Sequence, residues 1–424
     1  SSDVCSSDLV AYVDLSTFDT IENLLYAGAD AANIFHARIT KCIWFGQIPI
    51  RLRHSGTRNF NETFYFTQPR QGDYATYTWA RITLPALTSG MVGSGETAAW
   101  CDDIGHAIFK DLEFSVNDIP IQKYTQLYLE HRAHHSVDES HWSLYQNMIG
   151  NKATLTTPAA SIAQDTILVP LWAFYQKAGA AFPHSCIPYA DVKWEFTLRP
   201  LNELLQGSSA GVAGVIAANP SLVNFELWTN YVVLTQQLRT LMGTVPRQMV
   251  IEQVNDTSAT MVVNGGETNV DLRFSYHMTW LAFVAQNTGR TNAVADGNGV
   301  YGVQITNYTD ATTGAGANPI ANATILYENS QRLDAMPADY YSFIVPFFHF
   351  EAAPRKTGFH TWALAYYGNS YNPTGGINVS RMFNMSAKVV STAATSGGTF
   401  KLLFIAQVKT IVTFSGGAIV LEFH

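Results

Sequence analysis

Four histidines fall between positions 131 and 141 (His131, His134, His135 and His141), with Asp138 and Glu139 among them. On a helix, His131 and His135 would share a face at i, i+4, a spacing suited to a metal ion. A catalytic or structural zinc site would add an H-E-x-x-H pair or a closed ligand set, and neither is present. The plainer reading is a solvated or interface loop rich in histidine. No metal and no cofactor are expected, with His131 and His135 the only metal candidates. A second role for the cluster is protonation near pH 6, which would loosen a contact. Cys101, Asp102, Asp103 and His106 form another set with acid–base potential. Their turn-like, Gly-flanked setting reads as a solvated turn rather than a catalytic pair.

Other chemistry is absent from the sequence. There is no G-x-S-x-G elbow and no P-loop. Cys5, Cys42, Cys101 and Cys186 are widely spaced without a C-x-x-C pair, so neither a disulfide framework nor zinc is implied, and a reducing compartment is the simpler reading. Six N-x-S/T sequons occur, at Asn61, Asn255, Asn307, Asn322, Asn378 and Asn384, a number near chance in a chain rich in Asn, Ser and Thr. Asn307 and Asn322 are expected in loops and are the glycosylation candidates. Two aromatic runs, Tyr340–Phe343 and Phe347–Phe350, read as core or subunit contact rather than a sugar platform.

Composition bounds the class. Hydrophobic residues make up 47% of 424 and charged residues only 14%, a thin charge cover for a free monomer. Aromatics reach 12%, which favours extensive buried contact with partners. The formal net charge of −8 argues against a role driven by phosphate neutralisation, so no direct nucleic-acid binding is expected. No apolar run is long enough for a membrane helix, and no secretion signal is recognised. Residues 1–9, SSDVCSSDL, resemble translated adapter sequence and are set aside as a non-native tail.

The elements that must position these residues are mostly short strands. Residues 16–26 suggest a capped helix in an N-terminal arm. Strand patterns follow at 35–53, 60–67, 74–84, 167–171 and 189–198. Residues 107–121 read as a hairpin turning at Asn117–Asp118. Residues 88–97 form a Gly-containing loop. Residues 200–220 have no period and are rich in Gly, Ala and Ser, the best domain boundary. Strands resume at 225–234, 248–254, 269–286, 323–327, 345–350, 387–391 and 401–414. A short helix is expected at 235–242 and a long loop at 289–318. Composition and periodicity stop at two all-β domains.

The stretch 354–381 carries a more specific pattern: Pro354, Gly358, Phe359, Ala363 and Leu364, then a turn with Pro373 and Gly375, then Asn378, Ser380 and Arg381. This resembles the C-terminal domain of the major capsid proteins of nucleocytoplasmic large DNA viruses (iridovirus, phycodnavirus and mimivirus types). Passages in the same order agree: Trp44–Ile50, Arg70–Asp73, Phe109–Ile121, Leu168–Phe174, Pro188–Phe196 and Arg247–Gln253. The resemblance runs from about 10 to 424. It implies an all-β double jelly roll of two tandem eight-stranded rolls, with a few short helices in the connections. The expected division is a tail at 1–9, an arm at 10–30, a first roll at 31–205, a linker at 206–220 and a second roll at 221–424. It further implies a non-enzymatic capsid protein whose homotrimers form pseudo-hexameric capsomers tiling an icosahedral virion. Neighbouring capsomers, penton and minor capsid proteins would be partners, with indirect contact to an internal membrane and assembly in the host cytoplasm. Loops 91–100 and 289–318 are expected on the outer face. The alternative is a jelly-roll carbohydrate-binding module or a cupin-like enzyme. A cupin needs His and Glu converging from adjacent strands, whereas these histidines are expected in loops.

Overall fold

The computed structural model describes residues 12–13, 15–26, 31, 35, 39, 41–244, 247–288, 300–302, 305–311, 316–395, 398–415 and 418–422. Residues up to Trp44 form one unit, whose helix Thr20–Tyr26 buries none of its side chains. The tail at 1–9 lies outside the described residues. Everything from Phe45 onward is a second unit, and it holds both rolls.

The first roll is two facing antiparallel sheets. One runs Phe45–Arg51, Asn224–Leu234, Tyr74–Leu84, Asp165–Leu171, with Phe182–Pro183 added to Tyr74–Leu84. The other runs Arg53–Ser55, Thr63–Thr67, Val192–Leu198, Phe109–Val116, Ile119–Thr125. Alternation does the work. Val192, Trp194, Phe196 and Leu198 point inward, and Lys193, Glu195 and Thr197 point away. Phe64, Phe66, Phe196 and Phe225 meet with ring centroids 5.0–5.9 Å apart, in stacked and edge-on pairs. Each such ring contributes roughly 1.5–3 kcal/mol by leaving water. The expected hairpin closes at Asn117 and Asp118, both at positive φ (50° and 61°), which is the type I′ requirement.

The second roll repeats the plan. One sheet is Arg247–Thr260, Phe400–Ser415, His277–Asn287, His360–Ala363, extended by Ile377–Asn378 and Ala418–Glu422. Its facing sheet is Glu267–Asp271, Met385–Ser391, Ile320–Tyr327, Ser330–Pro337. The strand His277–Asn287 is buried on both faces. Leu281, Phe283 and Ala285 fill the second roll, while Trp280, Ala282 and Val284 belong to the core of the first. The two rolls therefore share one continuous apolar seam.

Four expectations are corrected. The strand Asn224–Leu234 pairs with Phe45–Arg51 and Tyr74–Leu84, so it belongs to the first roll, and that roll continues past 205. The expected linker 206–220 contains a helix, Ser209–Ala218, capped by Ser208 and ended by Asn219 at φ 45°. Its glycines serve close packing: a Cβ at Gly211 would stand 2.4 Å from the Thr97 carbonyl oxygen, and one at Gly214 2.3 Å from that of Met91. Residues 345–350 are not a strand: Val345–His349 is helical and continues directly from the π-helical stretch Tyr340–Ile344. Segment 91–100 ends in a fully buried strand, Ala98–Trp100, held between Leu205–Ser208 and the Ala98–Ala159 bridge, so this part is no outer loop. The long loop expected at 289–318 lies largely outside the described residues. Within it, Val300–Gly302 pairs with Leu205–Ser208, and 305–309 are buried.

Candidate functional site: the seam between the rolls

The helix Gln126–Ser136, sequence QLYLEHRAHHS, is buried at every position from Gln126 to His135. Such a polar helix can be buried only if its side chains find partners, because an unpaired polar group out of water costs about 1–3 kcal/mol. The partners come from the second roll. The Thr361 hydroxyl bridges His131 Nε2 at 2.8 Å and His135 Nε2 at 3.2 Å. Arg132 donates to Asn369 Oδ1 (2.8 Å) and Gln407 Oε1 (3.1 Å), and its other nitrogen faces Glu252 at 3.5 Å. Asn369 Nδ2 donates back to the His135 carbonyl and to Ser136 Oγ. Tyr308 donates to Glu130 Oε2 at 2.6 Å. The neighbouring helix Glu139–Ile149 is clamped by Arg355, which pairs with Glu139 at 2.8 Å and lies 4.2 Å from the Trp142 ring centroid.

The two sets of residues that stood apart in the sequence meet here. Asp103 pairs with Lys356 of the second roll, and its Oδ1 accepts from Asn151 Nδ2 at 2.8 Å. His106 Nε2 lies 2.7 Å from the Tyr145 hydroxyl. Asp103 is not in a solvated turn: it is buried, with left-handed φ of 51°. Burial alone would raise its carboxyl, but Lys356 and His106 outweigh that and bring it to about 2. Burial pushes Glu130 up to about 7, against the pull of Lys356. Burial takes His106 and His135 down to about 4 and holds His131 and His134 well below their ordinary value, where like-charge repulsion from neighbouring groups adds to it.

His131, His134 and His135 thus leave the loop expected for them: His131 and His135 bond Thr361 and the His134 ring packs on Phe359, although among the described residues His131 Nδ1, His134 Nδ1 and Glu130 Oε1 are buried without a hydrogen-bond partner. The His131 and His135 rings stack at 4.1 Å, with Trp280 4.4 Å from His131. They share a hydroxyl instead of converging on an open position. Among the described residues no group of three or more His, Cys, Asp or Glu side chains could hold a metal ion. His141 stays exposed, apart from the cluster. Neither sequon candidate is an open loop. Asn307 is buried, its Nδ2 donating to the Ala311 carbonyl, and Asn322 sits in a strand paired on both sides. Sequence reasoning missed Arg132, Glu130, Tyr308, Lys356 and Thr361. The available signal was a helix-length polar run with no apolar stripe, which calls for fixed partners.

Two jelly rolls locked by a buried polar seam define a capsid-type double jelly roll, and comparison with known proteins agrees. The fold matches the capsid of PBCV-1 (TM-score 0.75, 19% identity, 92% of this chain and 100% of that one) and the Faustovirus major capsid protein (TM-score 0.74, 12% identity, 97% and 99%). Residues 33–235 match the family model for the major capsid protein N-terminus, and 239–421 that for the large eukaryotic DNA virus major capsid protein. The major capsid protein of Lymphocystis disease virus 1 (isolate Darai) is 31% identical over 91% of this chain and 88% of its own length. That of Tipula iridescent virus is 30% identical over 96% of both. The chain belongs to the major capsid proteins of large eukaryotic DNA viruses.

Proposed function

We propose that three copies of this chain close into a pseudo-hexagonal capsomer, and that these capsomers tile an icosahedral shell. The observation that carries this is the seam. Two similar rolls are held in one fixed relation by a shared apolar core and a paired polar helix, so each chain offers two of six near-equivalent corners. The chain works by assembly rather than turnover. Its place is the virion shell, built in the host cytoplasm, with neighbouring capsomers, penton and minor capsid proteins as contacts, an internal membrane reached indirectly, and no direct hold on nucleic acid. Light scattering after size exclusion tests the reading: a stable species near three times 46.7 kDa is expected. A well-behaved monomer that does not associate at high concentration would refute it.

A further inference from the structure

The second roll carries an apolar surface that no described residue covers. Phe343, Ile344, Phe347, Phe348, Tyr366 and Tyr367 are all at least half exposed, Phe347 at 75% and Phe348 at 65%. They form one surface. Phe343 and Ile344 lead directly into the helix Val345–His349, and the His349 ring lies 5.9 Å from Tyr366, with its Nδ1 3.1 Å from the Tyr366 carbonyl. The Tyr366 and Tyr367 rings are 4.9 Å apart. Taking about 200 Å² for a whole large side chain, the six leave roughly 700 Å² in water. That exceeds the ~300–600 Å² patch of an ordinary monomer and approaches the ~800 Å² per partner of a stable interface.

A closed ring of three joins two different surfaces at every contact. The first roll offers the second surface. On the outer face of its Phe45–Arg51/Asn224–Leu234/Tyr74–Leu84 sheet, Tyr77, Trp79 and Trp228 form a ladder, with ring centroids 5.8 and 6.2 Å apart. Register places Arg51 beside Trp228 and Arg81 beside Glu226. The exposed charge flanking the ladder is thus mainly cationic, because Arg51 and Arg81 share the single, largely covered Glu226. Two exposed acidic residues, Asp339 and Glu351, flank the aromatic patch in sequence, and Glu351 also feels Lys177 of its own chain, whose Nζ donates to the Asn369 carbonyl.

Resting on the trimeric reading above, we infer that the Phe343–Tyr367 patch docks on the Tyr77–Trp79–Trp228 ladder of a second copy of this chain. Asp339 and Glu351 then face Arg51 and Arg81. The second roll of each chain meets the first roll of the next, and three such contacts close the ring.

The test uses the full chain and two variants, Phe347→Glu/Phe348→Glu and Tyr77→Glu, each checked for an unchanged circular-dichroism spectrum. All three positions are exposed, so folding should survive. With wild type trimeric, each variant alone is expected to run as a monomer. Their equimolar mixture keeps one intact contact, the patch of the second variant on the ladder of the first, and is expected to give a heterodimer near twice 46.7 kDa. A trimeric wild type with a folded, trimeric patch variant overturns this inference and leaves the trimer standing. Two monomeric variants whose mixture stays monomeric overturn the pairing of these two surfaces. A monomeric wild type instead sinks the trimer itself. Wild-type flotation with phosphatidylcholine vesicles, abolished by Phe347→Glu/Phe348→Glu while the trimer persists, would give the patch to a membrane and also overturn the inference.

Discussion

Arg132→Met is the sharpest probe of the seam. The side chain is nearly isosteric along its stem but removes the guanidinium from Asn369, Gln407 and Glu252. Glu252 is left with 10% side-chain exposure and, among the described residues, no cation in an ion pair, Lys177 and Lys409 acting on it only at longer range; its Oε1 already has no hydrogen-bond partner. Breaking one side of a buried pair costs about 3–5 kcal/mol, because the remaining charge stays desolvated. A cooperative unit of roll size loses about 2–4 °C per kcal/mol, so Tm should fall by roughly 10 °C. The partner variant Glu252→Met should be costly for the same reason. The double variant Arg132→Met/Glu252→Met should regain most of the loss, since an apolar pair of similar volume is often neutral in such a site. Urea titration of all four proteins closes the cycle, with an expected coupling of at least about 2 kcal/mol. A loss under about 1 kcal/mol for Arg132→Met, or a double variant as unstable as the sum of the singles, would refute the claim that this pair holds the rolls together.

Acid should weaken the fold between pH 6.5 and 4. His106, His135 and His360 titrate near 4 in the folded chain because they are buried, so the unfolded chain binds their protons first as pH falls. Their contribution is complete above 6.5 and is lost toward 4, up to about 3 kcal/mol for each. Lys356 and Arg132 reinforce this trend, Asp103 opposes it at His106 and His134, and Glu130 opposes it separately: raised to about 7, it adds stability as pH falls from 7 to 4.5. Denaturant midpoints flat from pH 7 to 4 would contradict this balance. Lys356→Met should cost about 2 kcal/mol in urea titrations by leaving Asp103 without its cation, and Lys356→Met/Asp103→Asn should recover most of it. Gly207→Ala should destabilise by about 3 kcal/mol or block folding, since φ is +145° and a Cβ would stand 2.4 Å from the Thr97 oxygen. Gly95→Ala, at φ +79° in open space, should cost only about 1 kcal/mol, and equal melting temperatures for the two would refute the steric argument.

Much of the fold was legible because sandwich strands write their facing into a period of two. The strand 74–84 and the hairpin turn at Asn117–Asp118 fall where alternation and turn chemistry put them. The resemblance supplied the pairing of two rolls, which periodicity does not contain. What was illegible shares one cause: meaning set by distant partners. The Gly/Ala run at 209–218 looks like slack chain until the backbone of 91–97 is laid against it. Asp103 looks solvated until Lys356 arrives from 253 residues away. The histidine segment looks exposed because burying Glu, Arg and three His makes sense only once Thr361, Asn369, Gln407 and Tyr308 are in place. The aromatic run at 347–350 was read as strand, whereas Val345–His349 is helical. Two consecutive exposed Phe suit a helical turn as well as an edge strand.

The polar helix also sets a clock on synthesis. Its partners at Thr361, Asn369 and Gln407 follow it by 230 to 275 residues. At about 5–20 residues per second, His131 and Arg132 wait roughly ten seconds to a minute for these hydrogen-bond partners. Throughout that interval the flank of the first roll that carries this helix lacks its partners. Each nascent chain is therefore most vulnerable to miscoupling with its neighbours on a crowded polysome, before its own second half can shield it. Slowing translation beyond residue 240 should raise the insoluble fraction more than slowing it earlier.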